Sequence, residues 1–147
     1  MARDPGIDID APAAEVYAAI AALDDDAFDA LMADPVTRDR VIDSLVVHLS
    51  GQFRPEKAGD LDAVIHVKLW DRPGGGYDHR ELVIADGACS ISATPEHDPR
   101  LTLKVRPSDL RAIVSGATGP RRLALRGRLR VIGDVGLGMR LTELFAL

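Results

Sequence analysis

Apolar positions recur at helical spacing early in the chain and at strand spacing later. Val16, Ile20 and Leu23 form one stripe after Asp10-Ala11-Pro12, which reads as a helix start. Asp24-Asp25-Asp26 places acids where a helix N-terminus favours them, and a short turn carrying Phe28, Leu31 and Met32 follows. Asp34-Pro35 pairs a capping carboxylate with proline at the first helical position. From there Val41, Ile42, Leu45, Val46, Leu49 and Phe53 share a wide apolar face, and the helix is expected to end near Gln52, before Pro55. The face is wider than a coiled-coil seam, as suits a helix lying on a sheet, and His48 falls at its edge.

After Lys57-Ala58-Gly59-Asp60 the period becomes two. Leu61, Ala63, Ile65, Val67 and Leu69 alternate with Asp62, Val64, His66, Lys68 and Trp70, as in a strand with one buried face. Asp71-Arg72-Pro73-Gly74-Gly75-Gly76 is a turn, and a second strand runs from about Asp78 to Ala85. Asp86-Gly87 signals a tight hairpin into a third strand bearing Cys89, Ile91 and Ala93. Leu101, Leu103 and Val105 mark a fourth strand and Leu129 with Val131 a fifth. Between these two lie a helix from Pro107 to about Ser115, stopped by Gly116, and a helical turn after Gly119-Pro120. Asp134 caps a last helix whose Leu137, Leu141, Leu144 and Phe145 face one way. This order predicts an α+β fold and not a doubly wound one. Residues 1–10, polar with Pro and Gly, read as a loose leader.

Length and composition narrow the class. At 147 residues with 46% hydrophobic and 28% charged residues, the chain fits one folded domain. No apolar run approaches the roughly 18 residues of a membrane span, and the start lacks the features of a secretory signal. A single cysteine, Cys89, leaves no disulfide framework and no multi-cysteine zinc site. A cytoplasmic protein is expected, and 15 arginines against 3 lysines with abundant Ala, Asp and Gly suggest a GC-rich bacterial genome.

Charge is uneven. Residues 1–62 carry a net −9, residues 63–147 a net +4, and residues 100–147 ten bases against three acids. A solvated strand and helix face accounts for this most simply, with an anionic membrane surface as the functional alternative. Arg126, Arg128 and Arg130 recur every second residue, which in one strand would place all three on a common face. Nucleic acid is disfavoured, because no aromatic ring sits among those arginines to stack on bases.

Catalytic motifs are missing. His48, His66, His79 and His97 lack metalloprotease spacing, and no serine sits in a nucleophile elbow. Cys89, in an alternating strand, reads as a small buried apolar residue. Gly74-Gly75-Gly76 joins two strands and cannot offer helix N-terminal amides to phosphate, and Gly133-Asp134-Val135-Gly136-Leu137-Gly138 departs from the dinucleotide fingerprint. Neither a catalytic residue, a metal site nor a cofactor is expected.

The C-terminal half carries a specific pattern: Leu101-Thr102-Leu103-Lys104-Val105, Asp109-Leu110, Ala112-Ile113-Val114-Ser115-Gly116, then Gly127-Arg128-Leu129-Arg130-Val131-Ile132-Gly133-Asp134-Val135-Gly136-Leu137-Gly138-Met139-Arg140-Leu141. It closely resembles the sterol carrier protein type-2 domain family over about residues 36–145, with the Gly-rich turn before Tyr77 and the three-strand meander also matching. The resemblance implies a five-stranded, mainly antiparallel sheet, helices packed on one face, and an apolar tunnel between the layers. It also implies a non-catalytic role: binding or carriage of a fatty acyl, sterol-like or polyketide-like molecule. By position, the tunnel walls would come from Val41, Leu45, Leu49, Phe53, Ile65, Val67, Leu103, Leu125, Leu129, Met139, Leu141 and Phe145. Residues 34–147 would form this lipid-binding domain, with residues 1–33 a helical extension outside it. That extension's apolar stripe must pack on something, and the entrance of the same chain's tunnel is favoured over a second chain.

Departures from the family pattern bear on the ligand. Arg106 stands where the family often has a capping Ser, and Gly119-Pro120 replaces an Asn-Pro turn. Arg121-Arg122-Leu123-Ala124-Leu125 replaces an aromatic-rich segment, so an acyl or polyketide-like ligand fits at least as well as a sterol. Phe145-Ala146-Leu147 lacks the basic middle residue of a peroxisomal address. Two other classes stay open: a cavity catalyst (isomerase or cyclase) on the same fold, and a protein-interaction module with a collapsed cavity.

Overall fold

A computed structural model of the chain describes residues 7–147. The expectation of a loose leader falls mostly on residues 1–6 and lies outside the described residues. Helices α1 (Ala13–Ala21) and α2 (Asp25–Leu31) precede the long α3 (Pro35–Gly51) and a single turn, α4 (Pro55–Ala58). Strands β1 (Ala63–Leu69), β2 (Asp78–Ala85), β3 (Ala88–Ser92) and β4 (Leu101–Val105) follow. Helices α5 (Pro107–Ser115) and α6 (Pro120–Leu125), strand β5 (Leu129–Gly133), and helices α7 (Val135–Met139) and α8 (Leu141–Leu144) complete the order.

The strands form one sheet in the order β3-β2-β1-β4-β5. Only β1 and β4 run parallel; the other pairs are antiparallel. Register sends Ile65, Leu82, Leu103 and Leu129 to the face that carries the helices, while Lys68, Lys104 and Arg130 line the open face. The fold is the expected α+β architecture with a mainly antiparallel sheet.

Local chemistry sets the helix boundaries. Asp34 accepts hydrogen bonds from the Thr37 backbone N–H (2.9 Å) and hydroxyl (2.8 Å), which hold its carboxyl below the usual range. Asp24 caps α2 through the Ala27 N–H at 2.8 Å, and Gly116 ends α5 in the left-handed region at φ 81°. The expected single terminal helix is instead two short ones. Gly136 and Gly138 weaken α7, and Phe145 is drawn into extended pairing with Phe53. Arg54 N–H donates to the Leu144 carbonyl at 2.7 Å and Ala146 N–H to that of Gln52 at 3.0 Å, so the last residues behave as a short strand.

Ion pairs bolt α3 to the sheet. Arg38, 3% exposed, donates to Asp78 at 2.6 Å and to the Trp70 carbonyl at 2.9 Å. Arg80, buried on β2, reaches Asp39 and Asp43 of α3 at 2.7 and 2.8 Å. These pairs fix the N-terminal half of α3, leaving its C-terminal half to face apolar space.

The first two helices pack on the same chain. Ile20, Phe28, Leu31 and Met32 belong to the main hydrophobic cluster, with α1 against α3 and α2 against α5. Arg111 of α5 joins them: it donates to the Ile20 and Leu23 carbonyls (each 2.9 Å) and to Asp25 (2.8 Å), and lies 4.3 Å from the Phe28 ring centroid.

Candidate functional site

Between the sheet and its helices lies a small apolar cavity of about 40 Å³. Leu49 of α3 contributes one wall, Ile65 and Val67 of β1 with Leu82 of β2 the floor, and Leu103, Val105 and Leu129 the far side of the sheet. Leu110 and Ile113 of α5 and Pro120 of α6 form the roof, while Leu141, Phe145 and Leu147 close one end. No polar or titratable side chain takes part in this lining. A cavity that accepts benzene measures about 150 Å³, so an acyl chain enters only if the layers part.

The structure places seven of the twelve anticipated wall residues around this space: Leu49, Ile65, Val67, Leu103, Leu129, Leu141 and Phe145. Val41 and Leu45 are fully buried but pack elsewhere in the core. Phe53 is half-buried, its ring 5.5 Å from that of Phe145. Leu125 and Met139 require correction, because they are 83% and 70% exposed. Each ends a short helix whose buried anchor, Leu123 or Leu137, lies two residues earlier, and two residues turn a helix by about 200°. Leu82, Leu110 and Ile113 escaped the sequence reading. Leu82 faces Ile65 directly across β1 and β2, and Leu110 and Ile113 have the i, i+3 spacing of one helical face, so both signals were present.

The N-terminal helices supply no residue to this cavity, so the expected lid at its entrance is corrected to a brace behind α3 and α5. The arginine alternation also fails. Arg126 caps α6, Gly127 turns at φ 71°, Arg128 pairs with buried Asp109, and β5 begins only at Leu129. Arg130 alone of the three projects from the strand.

A larger open groove of about 370 Å³ runs between α1, α3 and β3. It is bordered by Arg40, Asp43 and Arg80 as well as Val16, Val47 and Ile91. Its open, charged border cannot keep an apolar tail dry.

On the open sheet face His79, His66, Glu81 and His97 form a hydrogen-bonded chain. His79 Nε2 lies 2.9 Å from His66 Nδ1, and His66 Nε2 lies 2.9 Å from Glu81. Glu81 also accepts from His97 Nδ1 at 3.0 Å and from the Glu96 and His97 backbone N–H groups. Burial alone would raise this carboxyl, but the bonds from His97, His66 and Glu96 bring it down to about 2. The Glu81 carboxylate raises His97, whereas burial and the neighbouring His66 and Lys68 lower His79. The chain pins the loop between β3 and β4, and its four side chains line neither the inner cavity nor the open groove. Alternation alone puts His66 on the solvent side of β1; its burial comes from a partner 15 residues away on the next strand.

These shifts set the pH dependence of stability. The depressed Glu81 carboxyl stabilises the fold above its ordinary value of 4.5, and that contribution disappears as pH falls toward 2. The raised His97 stabilises below 6.5, a contribution lost as pH climbs through its folded value. Urea unfolding against pH is expected to show a shallower acid limb for Glu81→Gln than for the native chain. Superimposable acid limbs would contradict the network.

The remaining polar features are structural. Burial pushes the Cys89 thiol up to about 11, so it stays protonated near neutrality. His48 stacks on Tyr17 with ring centroids 3.7 Å apart, and burial lowers it. Gln52 donates to the Val114 carbonyl at 3.0 Å, leaving its buried Oε1 without a partner. Among the described residues no group of three or more His, Cys, Asp or Glu side chains could hold a metal ion. No helix among them is long and apolar enough to cross a membrane.

A family model described as the SCP-2 sterol transfer family matches residues 42–146. Sterol carrier protein 2 of Oryctolagus cuniculus is 26% identical over 84 residues, which are 57% of this chain and 15% of that protein. The chain thus spans a small part of the curated relatives it matches. Among solved structures, palmitated SCP2L2 from Aedes aegypti aligns with a TM-score of 0.54 at 16% identity, covering 70% of this chain and 88% of that one. The sec-alkylsulfatase Pisa1 from Pseudomonas sp. aligns with a TM-score of 0.55 at 15% identity, covering 74% of this chain and 16% of that one. At such identities the likeness is one of fold.

Proposed function

The chain belongs to the SCP-2 sterol transfer family, and from that premise we propose that it binds and carries a hydrophobic small molecule between its sheet and helices without catalysing a reaction on it. The observation that carries this reading is the wholly apolar lining of the inner cavity. A fatty acyl ligand is the favoured class, with sterol-like and polyketide-like molecules behind it. A flexible chain can thread layers that part slightly, whereas a rigid ring system needs a wide preformed space. The palmitated state of the Aedes aegypti protein is in keeping with this choice.

Energetics allow so small a cavity to widen for such a ligand. Burying an acyl chain gains about 0.8 kcal/mol per methylene, on the order of 10 kcal/mol for palmitate before entropic costs. Freeing a short roof element held by one or two buried side chains costs only about 2–5 kcal/mol. Residues 34–147 are the proposed ligand-binding domain, and residues 1–33 an extension whose helices α1 and α2 brace it.

The cavity's small volume favours a second reading, an interaction module whose cavity stays collapsed. A cavity catalyst is less well supported, because no titratable side chain reaches the lining. Native mass spectrometry after incubation with palmitate separates the first two readings. A one-to-one adduct with raised thermal stability supports carriage. An adduct-free protein with unchanged stability after incubation with palmitate, a sterol and a polyketide would favour the interaction module.

A further inference from the structure

The roof helix α6 combines two properties that belong to different jobs. On its inner side Pro120 lines the cavity and Leu123 is buried; these are its only buried residues. On its outer side Leu125 is 83% exposed, and Arg121 and Arg122, four and three residues earlier, share that face. Arg126 follows directly and is also exposed.

The charge here has no internal use. Arg38, Arg80, Arg100, Arg106, Arg111 and Arg128 each meet a carboxylate. Among the described residues Arg121, Arg122 and Arg126 appear in no ion pair; Arg40, Arg54, Arg130 and Arg140 share that state, but only the first three stand together, within six residues on one exposed element. No acidic residue occurs anywhere from 110 to 133, so nothing in sequence offsets them. The flanks also suit a moving element. Gly116 and Gly127 sit at φ 81° and 71°, bounding a segment whose packing against the sheet is with β5.

We propose that α6 is a membrane-docking flap. On an anionic bilayer its three arginines engage lipid headgroups, Leu125 enters the acyl boundary, and the helix lifts Pro120 and Leu123 off the cavity. The inference rests on the reading of that cavity as a lipid site. A bilayer fits this surface better than nucleic acid, because α6 offers an aliphatic tip between arginines and no ring to stack on bases. Docking at the roof also removes the aqueous step from ligand exchange, since the cavity opens where the acyl chains are.

Two measurements test the flap. In the first, ligand-free protein is pelleted with phosphatidylcholine vesicles with and without phosphatidylserine. Binding is expected to require phosphatidylserine and to weaken with salt. Each neutralised arginine is expected to weaken it about fivefold, so Arg121→Gln/Arg122→Gln/Arg126→Gln loses about a hundredfold. In the second, protein loaded with a fluorescent palmitate analogue is mixed with the same vesicles. Transfer is expected to accelerate with phosphatidylserine-vesicle concentration, and to slow at least tenfold in the triple variant, on the order of one arginine or more. The variant's affinity for the analogue in vesicle-free solution is expected to be unchanged.

A rival basic surface provides the control. Lys68, Lys104 and Arg130 are adjacent across β1, β4 and β5 on the open sheet face, with Tyr77 beside both lysines. If Lys68→Gln/Lys104→Gln/Arg130→Gln abolished pelleting while the α6 variant kept it, the flap assignment would be overturned. Transfer that ignores vesicle concentration and the α6 substitutions would overturn it as well. A protein that pellets through α6 but takes up no analogue would instead count against the cavity reading, leaving the docking surface standing.

Discussion

Leu49→Arg is expected to abolish binding of a fluorescent fatty acid. Leu49 projects from the end of α3 into a cavity with no polar lining, and its side chain is 7% exposed. A guanidinium there finds no carboxylate side chain in the lining, and an unpaired charge in such a space costs several kcal/mol. The same cost falls on the fold, so circular dichroism must show an intact variant before lost binding counts. Leu103→Trp supplies the uncharged counterpart: the indole occupies the cavity from β4 at an overpacking cost of about 1–3 kcal/mol. At least tenfold weaker binding is expected, since the acyl chain and the indole compete for one space. A folded Leu103→Trp protein that binds as tightly as the native chain would remove this cavity from consideration.

Arg111→Met is expected to have the largest effect on stability. Arg111 is 8% exposed, and its guanidinium donates to the carbonyls that end α1 and lead into α2. Methionine keeps much of the volume but strips the Leu23 carbonyl of its Arg111 donor, leaves the Ile20 carbonyl its backbone donor from Leu23, and removes the cation over the Phe28 ring. A loss of about 2–4 kcal/mol follows from those terms. The Asp25 contact adds little, because that carboxylate is 89% exposed. Hydrogen exchange is expected to show α1 and α2 losing protection before the sheet does. Retained protection in α1 with a stability change below about 0.5 kcal/mol would contradict the bracing role.

What could be read from the sequence depended on how local its cause was. The start of α3 was legible because Asp34, Pro35 and Thr37 settle it among themselves. The strands were legible because alternation at Ile65, Val67, Leu82, Ile84, Leu101 and Val105 needs only a buried face. The side of a one-turn or two-turn helix was not. Leu125 and Met139 looked like wall residues, but the anchors Leu123 and Leu137 rotate them to solvent. Nor could core be told from cavity: Leu45 and Leu49 lie one turn apart on the same stripe, and only the second meets the cavity. The His66–Glu81 pair and the Arg111 brace join residues 15 and about 90 positions apart, and no periodicity announces such contacts.

The central claim is that an acyl ligand occupies the space between the sheet and its helices. Titrating the methyl-labelled protein with palmitate, followed by NMR, tests it most directly. The account predicts saturable shifts at the methyl groups of Leu49, Ile65, Val67, Leu103 and Ile113, with intermolecular contacts between those methyls and the acyl chain. Shifts confined to Val16, Val47 and Ile91 would place the ligand in the open groove between α1, α3 and β3 and contradict the account.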